Sequence, residues 1–167
     1  MVEQDFDLVD ALEIAMAAEQ AAAARYAEAA LKTENSFGRE LFEQLAAFER
    51  DHYRRLTELA ESLRGKGAFA EHEDHTHELS LPVAAEGGGF EEPNRMSIMA
   101  IITIARDAEI EAANRYTELS TRTSDRAARA LLRKLAEEEK QHYRTLSDVY
   151  WSLNDYGTWV RPRKEGK

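Results

Sequence analysis

The sequence predicts an all-α fold, a four-helix bundle made of two duplicated helical hairpins with one long crossover between them. Only three Pro and eight Gly occur among 167 residues, so few residues disfavour helix. Four segments repeat apolar residues at alternating spacings of three and four, the period of packed helices. A pattern of polar residues in the first half returns 90 positions later. A chain of this length suits one domain, residues 1–167, with a core of its own.

The first hairpin is predicted over about residues 6–64, with helices at about 6–33 and 37–64. Ser36 is predicted to cap the second helix, because its hydroxyl can accept a bond from a free N–H at the helix start. Gly65 follows the predicted end of that helix, as glycine often does. Because only a short turn joins the helices, we expect them to be antiparallel.

The crossover is predicted over about residues 65–94, which lack a helical period. The 28 residues at 66–93 can extend to about 90 Å, whereas each helix is about 40 Å long. The crossover can therefore return along the whole bundle and start the third helix parallel to the second. It contains His72, His75 and His77, which we interpret as part of a solvated acidic loop.

The second hairpin is predicted over about residues 95–155, with helices at about 95–121 and 125–155. Asn94 precedes its first helix, Ser124 is the predicted N-cap of its second helix, and Gly157 follows that helix. Residues 156–167 form a tail without an assigned role.

Acidic and histidine side chains interrupt the apolar faces of the four helices at matching positions. The first helix of each hairpin carries one Glu, and the second carries Glu-x-x-His; the six residues are Glu19, Glu49, His52, Glu109, Glu139 and His142. Each Glu lies about 14–16 residues from its hairpin turn, which places all four at nearly one height at 1.5 Å per residue. A buried carboxylate is costly unless it is paired or bound to metal. We therefore predict that the six side chains meet in one metal site.

Four carboxylates and two imidazoles fit a site for two divalent cations. Their four negative charges balance two such ions, and a carboxylate can bridge ions about 3.5–4 Å apart. This donor set favours iron, while manganese and zinc could occupy the same ligands. Tyr26 and Tyr116 lie on the same faces two turns along from Glu19 and Glu109. They either donate hydrogen bonds to the carboxylates or fill the core, whereas Arg25 and Arg115 lie off these faces and receive no assigned chemistry.

Composition excludes several classes of function. The chain has no cysteine, which excludes disulfides, thiolate metal sites and iron–sulfur clusters. A net charge of −10 argues against nucleic acid or an anionic membrane as a partner. The apolar run at 96–105 is too short to span a bilayer, and the acidic N-terminus lacks the basic start of a signal peptide. We expect a cytoplasmic protein.

The segments EQAAAARY and EIEAANRY, and the segments FERDHY and EEEKQHY, resemble the rubrerythrin branch of the ferritin-like superfamily. The resemblance covers about residues 6–155. It implies a ferritin-like bundle with a non-haem di-iron centre that reacts with hydrogen peroxide or dioxygen, often in a homodimer or a larger assembly. The same six residues would be the ligands, with Tyr26 and Tyr116 beside them.

Two features depart from that family. Rubrerythrins usually carry a rubredoxin domain with four cysteines, and no cysteine occurs here. They also tend to have a further ligand Glu one turn along the third helix, where this chain has Ala112, and its counterpart in the first helix is Ala22.

Three functions are compatible with this pattern. The first is a di-iron oxidoreductase that acts on peroxide or dioxygen with electrons from an external donor protein. The second is a ferroxidase that oxidises iron for storage or detoxification. The third is a metal-stabilised bundle without catalysis. Repeated turnover with a reductant would separate the first from the second.

Overall fold

The computed structural model describes residues 6–65, 79 and 91–160. Its four helices are α1 (Leu8–Lys32), α2 (Ser36–Leu63), α3 (Arg95–Arg122) and α4 (Arg126–Tyr156). Within the described ranges the only β pairing is an isolated bridge between Glu91 and Thr158. The predicted helix bounds agree within two residues, and the all-α bundle is confirmed. Most of the predicted crossover, including His72, His75 and His77, lies outside the described residues.

The four helices pack as two hairpins, α1 on α2 and α3 on α4, with α1 also packed on α3. Asn94 at the start of α3 donates a hydrogen bond to the carbonyl of Lys32 at the end of α1 (3.2 Å). The chain therefore enters α3 at the end of the bundle where α2 begins, so α3 runs parallel to α2. Residues 65 and 91 accordingly lie toward opposite ends of the bundle, as the predicted crossover requires.

The prediction of Ser36 and Ser124 as N-caps is wrong by one residue in each hairpin. Asn35 caps α2 by accepting hydrogen bonds from the backbone N–H groups of Phe37 and Gly38. Asp125 caps α4 by accepting one from Ala128 (2.7 Å). Asn, Asp and Ser are about equally good N-caps, so neighbouring capping residues leave the exact boundary open to sequence reasoning. Gly65 and Gly157 do follow helices, both with positive φ.

Two apolar clusters fill the bundle on either side of a polar layer. One cluster holds Phe42 and Leu45 of α2 with Ile102 of α3 and Leu146 of α4. The other contains mainly leucines; its members include Leu12, Leu56, Leu59, Leu119, Leu132 and Leu135. On every helix the metal-ligand candidates lie between residues of the two clusters. The polar layer is thereby shielded from water along the bundle axis, which strengthens its electrostatic interactions.

A buried carboxylate fastens the end of the bundle where α3 begins. Glu92 accepts hydrogen bonds from the indole of Trp159 (3.1 Å) and from the backbone N–H groups of Asn35 (3.3 Å) and Asn94 (3.2 Å). It thus joins the α1–α2 turn, the start of α3 and the segment after α4. The Trp159 ring lies directly against Gly38, where a side chain would have no room.

Candidate metal centre

The six predicted residues come together in one layer at the middle of the bundle, and none is more than 4% exposed. They form two groups of four whose oxygen or nitrogen atoms lie within 4.8 Å of one another. One group adds Glu19 and His52 to Glu49 and Glu139; the other adds Glu109 and His142 to the same two carboxylates. Glu49 and Glu139 are therefore shared by both groups, as bridging carboxylates of a two-metal site would be.

His52 faces the first group through its Nδ1 atom. This atom lies 3.0 Å from Glu139 Oε1, 3.2 Å from Glu49 Oε2 and 3.6 Å from Glu19 Oε2. Three carboxylates from three helices thus converge on one ring nitrogen, in a region from which water is largely excluded.

His142 mirrors this arrangement in the second group. Its Nδ1 atom lies 3.2 Å from Glu139 Oε2, 3.5 Å from Glu49 Oε1 and 3.7 Å from Glu109 Oε2. The two imidazole rings are nearly parallel, with centroids 5.7 Å apart. The geometry therefore follows the pseudo-twofold relation that the repeat implies.

The two tyrosines connect the hairpins. Tyr26 on α1 donates a hydrogen bond to Glu109 on α3, and Tyr116 on α3 donates one to Glu19 on α1. Burial and the nearby carboxylates raise the pKa of both phenols well above the usual value, so both stay protonated donors. Of the two roles that the sequence left open, these contacts favour holding the carboxylates.

The four carboxylates divide into two electrostatic types. Burial, followed by the charge of Glu109, raises the pKa of Glu49 to about 7. Burial and the charge of Glu49 raise the pKa of Glu139 well above the usual range. Burial also acts to raise the pKa of Glu19, but the nearby His52 and Tyr116 lower it to about 2. The pKa of Glu109 is lowered in the same way by His142 and Tyr26.

Both histidines hold protons strongly. Burial opposes the charged form of each ring, but Glu139 and its neighbours raise the pKa of His52 well above the usual value. The nearby carboxylates of Glu109, Glu139 and Glu49 do the same for His142. The charged imidazoles balance the ionised carboxylates of Glu19 and Glu109, and the raised pKa values of Glu49 and Glu139 favour their protonated forms.

The surroundings of Glu49 provide a second argument, independent of the repeat, that these residues suit divalent cations. Glu49 is 1% exposed, and the donors nearest its two oxygens are the Nδ1 atoms of His52 and His142, at 3.2 and 3.5 Å. Neither contact has the geometry of a hydrogen bond, and leaving a buried carboxylate without a well-formed hydrogen bond is strongly unfavourable. Two cations shared with Glu139 would satisfy these oxygens and balance the charge of all four carboxylates.

The two histidines differ in what their outer faces touch. His52 Nε2 lies 2.8 Å from Glu138 Oε2, and Glu138 is held by Arg55. Burial acts to raise the pKa of Glu138, but His52 and Arg55 lower it to about 2. The ring of His142 instead packs against Phe48, with centroids 5.3 Å apart. The sequence analysis did not predict that Glu138 would contact His52. The 90-residue repeat does show that the two positions differ, because Glu138 corresponds to Phe48 in the first hairpin.

A cavity of about 190 Å³ between α1 and α3 reaches the carboxylates. Ala22 and Ala112, where the sequence departs from the family pattern, line it beside Glu19, Glu49, Glu109 and Glu139. Arg25 and Arg115, to which the sequence assigned no chemistry, also line this cavity. The small side chains leave room for a small molecule to approach the polar layer from the side.

The rubrerythrin family pattern matches residues 10–150, which span all six residues of the centre. The chain belongs to the rubrerythrin family. This rubrerythrin-family chain is also similar to a solved structure, the hypothetical protein Pfu-1136390-001 from Pyrococcus furiosus. The two share 28% identity over 93% of this chain and 95% of that one, with a TM-score of 0.71. Comparison with curated proteins finds no match.

The family and the buried cluster together indicate a metal site that suits two iron ions. Membership also suggests reactivity with peroxide or dioxygen. None of the described helices has the length and apolar character needed to cross a bilayer.

Proposed function

We propose that the protein is a di-iron oxidoreductase that reduces hydrogen peroxide or dioxygen with electrons from a separate donor protein. The proposal depends above all on the two four-residue groups that share Glu49 and Glu139. Residues common to both groups can hold two ions close enough to act together on one small oxidant. Two ferrous ions would supply the two electrons that convert one hydrogen peroxide and two protons into two waters.

The residues around the centre prepare it for such a reaction. The hydroxyls of Tyr26 and Tyr116 hold Glu109 and Glu19 in place. The apolar clusters on both sides exclude bulk water along the bundle axis. Preorganised groups in a dry site act more strongly on a reacting molecule than the same groups in water.

Access favours a small oxidant. The cavity between α1 and α3 holds about 190 Å³, less than the roughly 300 Å³ at which pockets for drug-sized ligands begin. Its inner wall includes the four carboxylates, and Arg25 and Arg115 are among its polar lining residues. Peroxide and dioxygen are small enough to enter without movement of a helix.

The test begins with iron content. Protein loaded anaerobically with Fe(II) is expected to hold about two irons per chain and to change its optical spectrum when peroxide is added. Glu139→Ala removes a shared carboxylate and is expected to abolish both results. Glu137→Ala is the matched control, because Glu137 lies on the same helix but is exposed and paired with Lys140.

Three outcomes would count against the proposal. Iron content near zero would eliminate the metal centre, and content near one would eliminate the paired site. Continued uptake of added Fe(II), with iron accumulating in the protein, would indicate iron storage instead. Circular dichroism of both variants would show whether the bundle remains helical.

A further inference from the structure

We infer that the two halves of the metal centre are unequal, and that a divalent ion binds first and more tightly beside His52 than beside His142. Glu138 is the positioning residue responsible. This inference rests on the proposed metal centre, but it concerns the order of ion binding and needs no reaction.

Glu138 supports only the His52 half. Its Oε2 atom lies 2.8 Å from His52 Nε2, on the opposite side of the ring from the carboxylate cluster. Arg55 binds Glu138 in turn, and the Arg55 Nε atom lies 3.0 Å from Asp51 Oδ2. The side chains of Glu138 and Arg55 are only 12% and 11% exposed, so solvent weakens this chain of contacts little.

The His142 half has none of these charges. Adding or subtracting 90 relates Glu138 to Phe48, Arg55 to Thr145 and Asp51 to Gln141. All three charged residues of one half thus correspond to neutral residues in the other. Phe48 packs against the His142 ring, and no described residue forms a hydrogen bond with His142 Nε2.

The hydrogen bond to Glu138 affects His52 as a ligand in two ways. An Nε2–H that donates to Glu138 fixes the tautomer in which Nδ1 is free to bind a cation. The Glu138 carboxylate also makes the His52 imidazole a more basic metal ligand and fixes the orientation of its ring. Removing such a partner typically lowers metal affinity by about 10–100-fold. His142 must bind without this support, so we expect a difference of that size between the two halves.

The order of binding can be tested on the unmodified protein with Mn(II), which requires no redox chemistry. We expect two binding steps by calorimetry, separated by about 10–100-fold in affinity. With one equivalent of Mn(II), anomalous diffraction should place the ion beside Glu19 and His52, and electron paramagnetic resonance should show isolated ions. Equal occupancy of both halves, or preferred occupancy beside His142, would overturn the inference.

Two variants test whether Glu138 is responsible. Glu138→Gln removes the charge and keeps an acceptor, whereas Glu138→Leu removes both. We expect the first binding step to weaken modestly in Glu138→Gln and by about 10–100-fold in Glu138→Leu, so that the two steps converge. The second step should change little. Glu137→Gln is the matched control, because it removes one exposed negative charge from the same helix.

The inference fails if Glu138→Gln leaves both steps as they are in Glu137→Gln, or if both steps weaken equally. The Gln variant is nearly isosteric, so this comparison stands even if Glu138→Leu does not fold. The result also separates the two proposals. Two ions of equal affinity would reject the inference and leave the proposed function intact, whereas failure to bind Mn(II), Zn(II) or Fe(II) would reject both.

Discussion

Tyr26 on α1 and Glu109 on α3 form a hydrogen bond that crosses from one hairpin to the other. The repeat supplies the reciprocal bond, from Tyr116 on α3 to Glu19 on α1. Each hairpin therefore holds a carboxylate of its partner. The two bonds link the alignment of the hairpins to the alignment of the candidate ligands.

Tyr26→Phe is expected to destabilise the bundle, because it leaves Glu109 without its hydroxyl donor. A hydrogen bond to a charged group contributes about 1.5–3 kcal/mol, which corresponds to a melting temperature lower by about 3–12 °C. Thermal melting followed by circular dichroism would measure the change. Tyr156→Phe is the control, because Tyr156 is exposed. Equal melting temperatures for the two variants would contradict a holding role.

The candidate site could be predicted from sequence because covalent spacing determines where the six residues lie. An i, i+3 pair shares a helix face, and a short turn fixes the relative heights of Glu19 and Glu49. The contact between His52 and Glu138 could not be predicted in this way. It depends on how α2 packs against α4, and Glu138 lies next to Glu139 without belonging to the apolar pattern.

The hydrogen bond between Glu92 and Trp159 at the end of the bundle could not be predicted from sequence for a related reason. Glu92 and Trp159 are 67 positions apart, and neither belongs to the repeat. Their meeting depends on where the residues after α4 turn back over the bundle. Similarly, Arg25 and Arg115 could be placed off the apolar faces, but the cavity beside them appears only when α1 and α3 are packed together.

Stability of protein stripped of metal is expected to fall as pH rises from 5 to 8. Glu49, Glu139 and both histidines have raised pKa values in the fold. Groups of this kind favour the folded state at low pH and lose that contribution as pH rises toward their folded pKa. Glu19 and Glu109 have lowered pKa values, and such groups lose their stabilising contribution as pH decreases. That loss occurs only below about pH 4.5, outside the range from pH 5 to 8.

Melting curves of chelator-treated and metal-loaded protein would check this. The stripped form should melt on the order of 5–10 °C lower at pH 8 than at pH 5. The loaded form should change less, because bound cations keep the carboxylates ionised. Loss of stability in the stripped form toward pH 5 would contradict the assignment.

Gly38→Ala is expected to destabilise the protein, although Ala favours helix over Gly by about 1 kcal/mol. Any side chain at this position meets the Trp159 ring, which is 2% exposed. We expect Trp159 to be displaced, with a lower melting temperature and red-shifted tryptophan fluorescence. The double variant Gly38→Ala with Trp159→Ala should lose less than the sum of the single changes. Strict additivity would show that the two residues do not interact.

Ala112→Leu is expected to slow the reaction with peroxide without lowering iron content. The added side chain would occupy the cavity between α1 and α3 that reaches the carboxylates. Stopped-flow absorbance should show a rate at least about tenfold lower, since misplaced or excluded substrate costs factors of this order. Ala24→Leu is the comparison, because Ala24 lines a second cavity, between α1 and α2, which also reaches Glu19 and Glu49. A slower rate in the Ala24 variant alone would indicate that peroxide enters through the cavity between α1 and α2.

The proposed oxidoreductase is expected to need an external electron donor. Reduction of one peroxide consumes two electrons, and the centre can store no more than two at a time if it binds two ferrous ions. The chain has no cysteine for an iron–sulfur or rubredoxin site, and no Gly-x-Gly-x-x-Gly segment for a dinucleotide.

Iron-loaded protein should therefore consume about one peroxide per bundle and stop. An oxygen electrode coupled to catalase would measure the remaining peroxide, and consumption should resume when a rubredoxin, its reductase and NADH are added, with one NADH oxidised for each peroxide reduced. Sustained oxidation of NADH by peroxide with this chain alone would show that the electrons follow a different route.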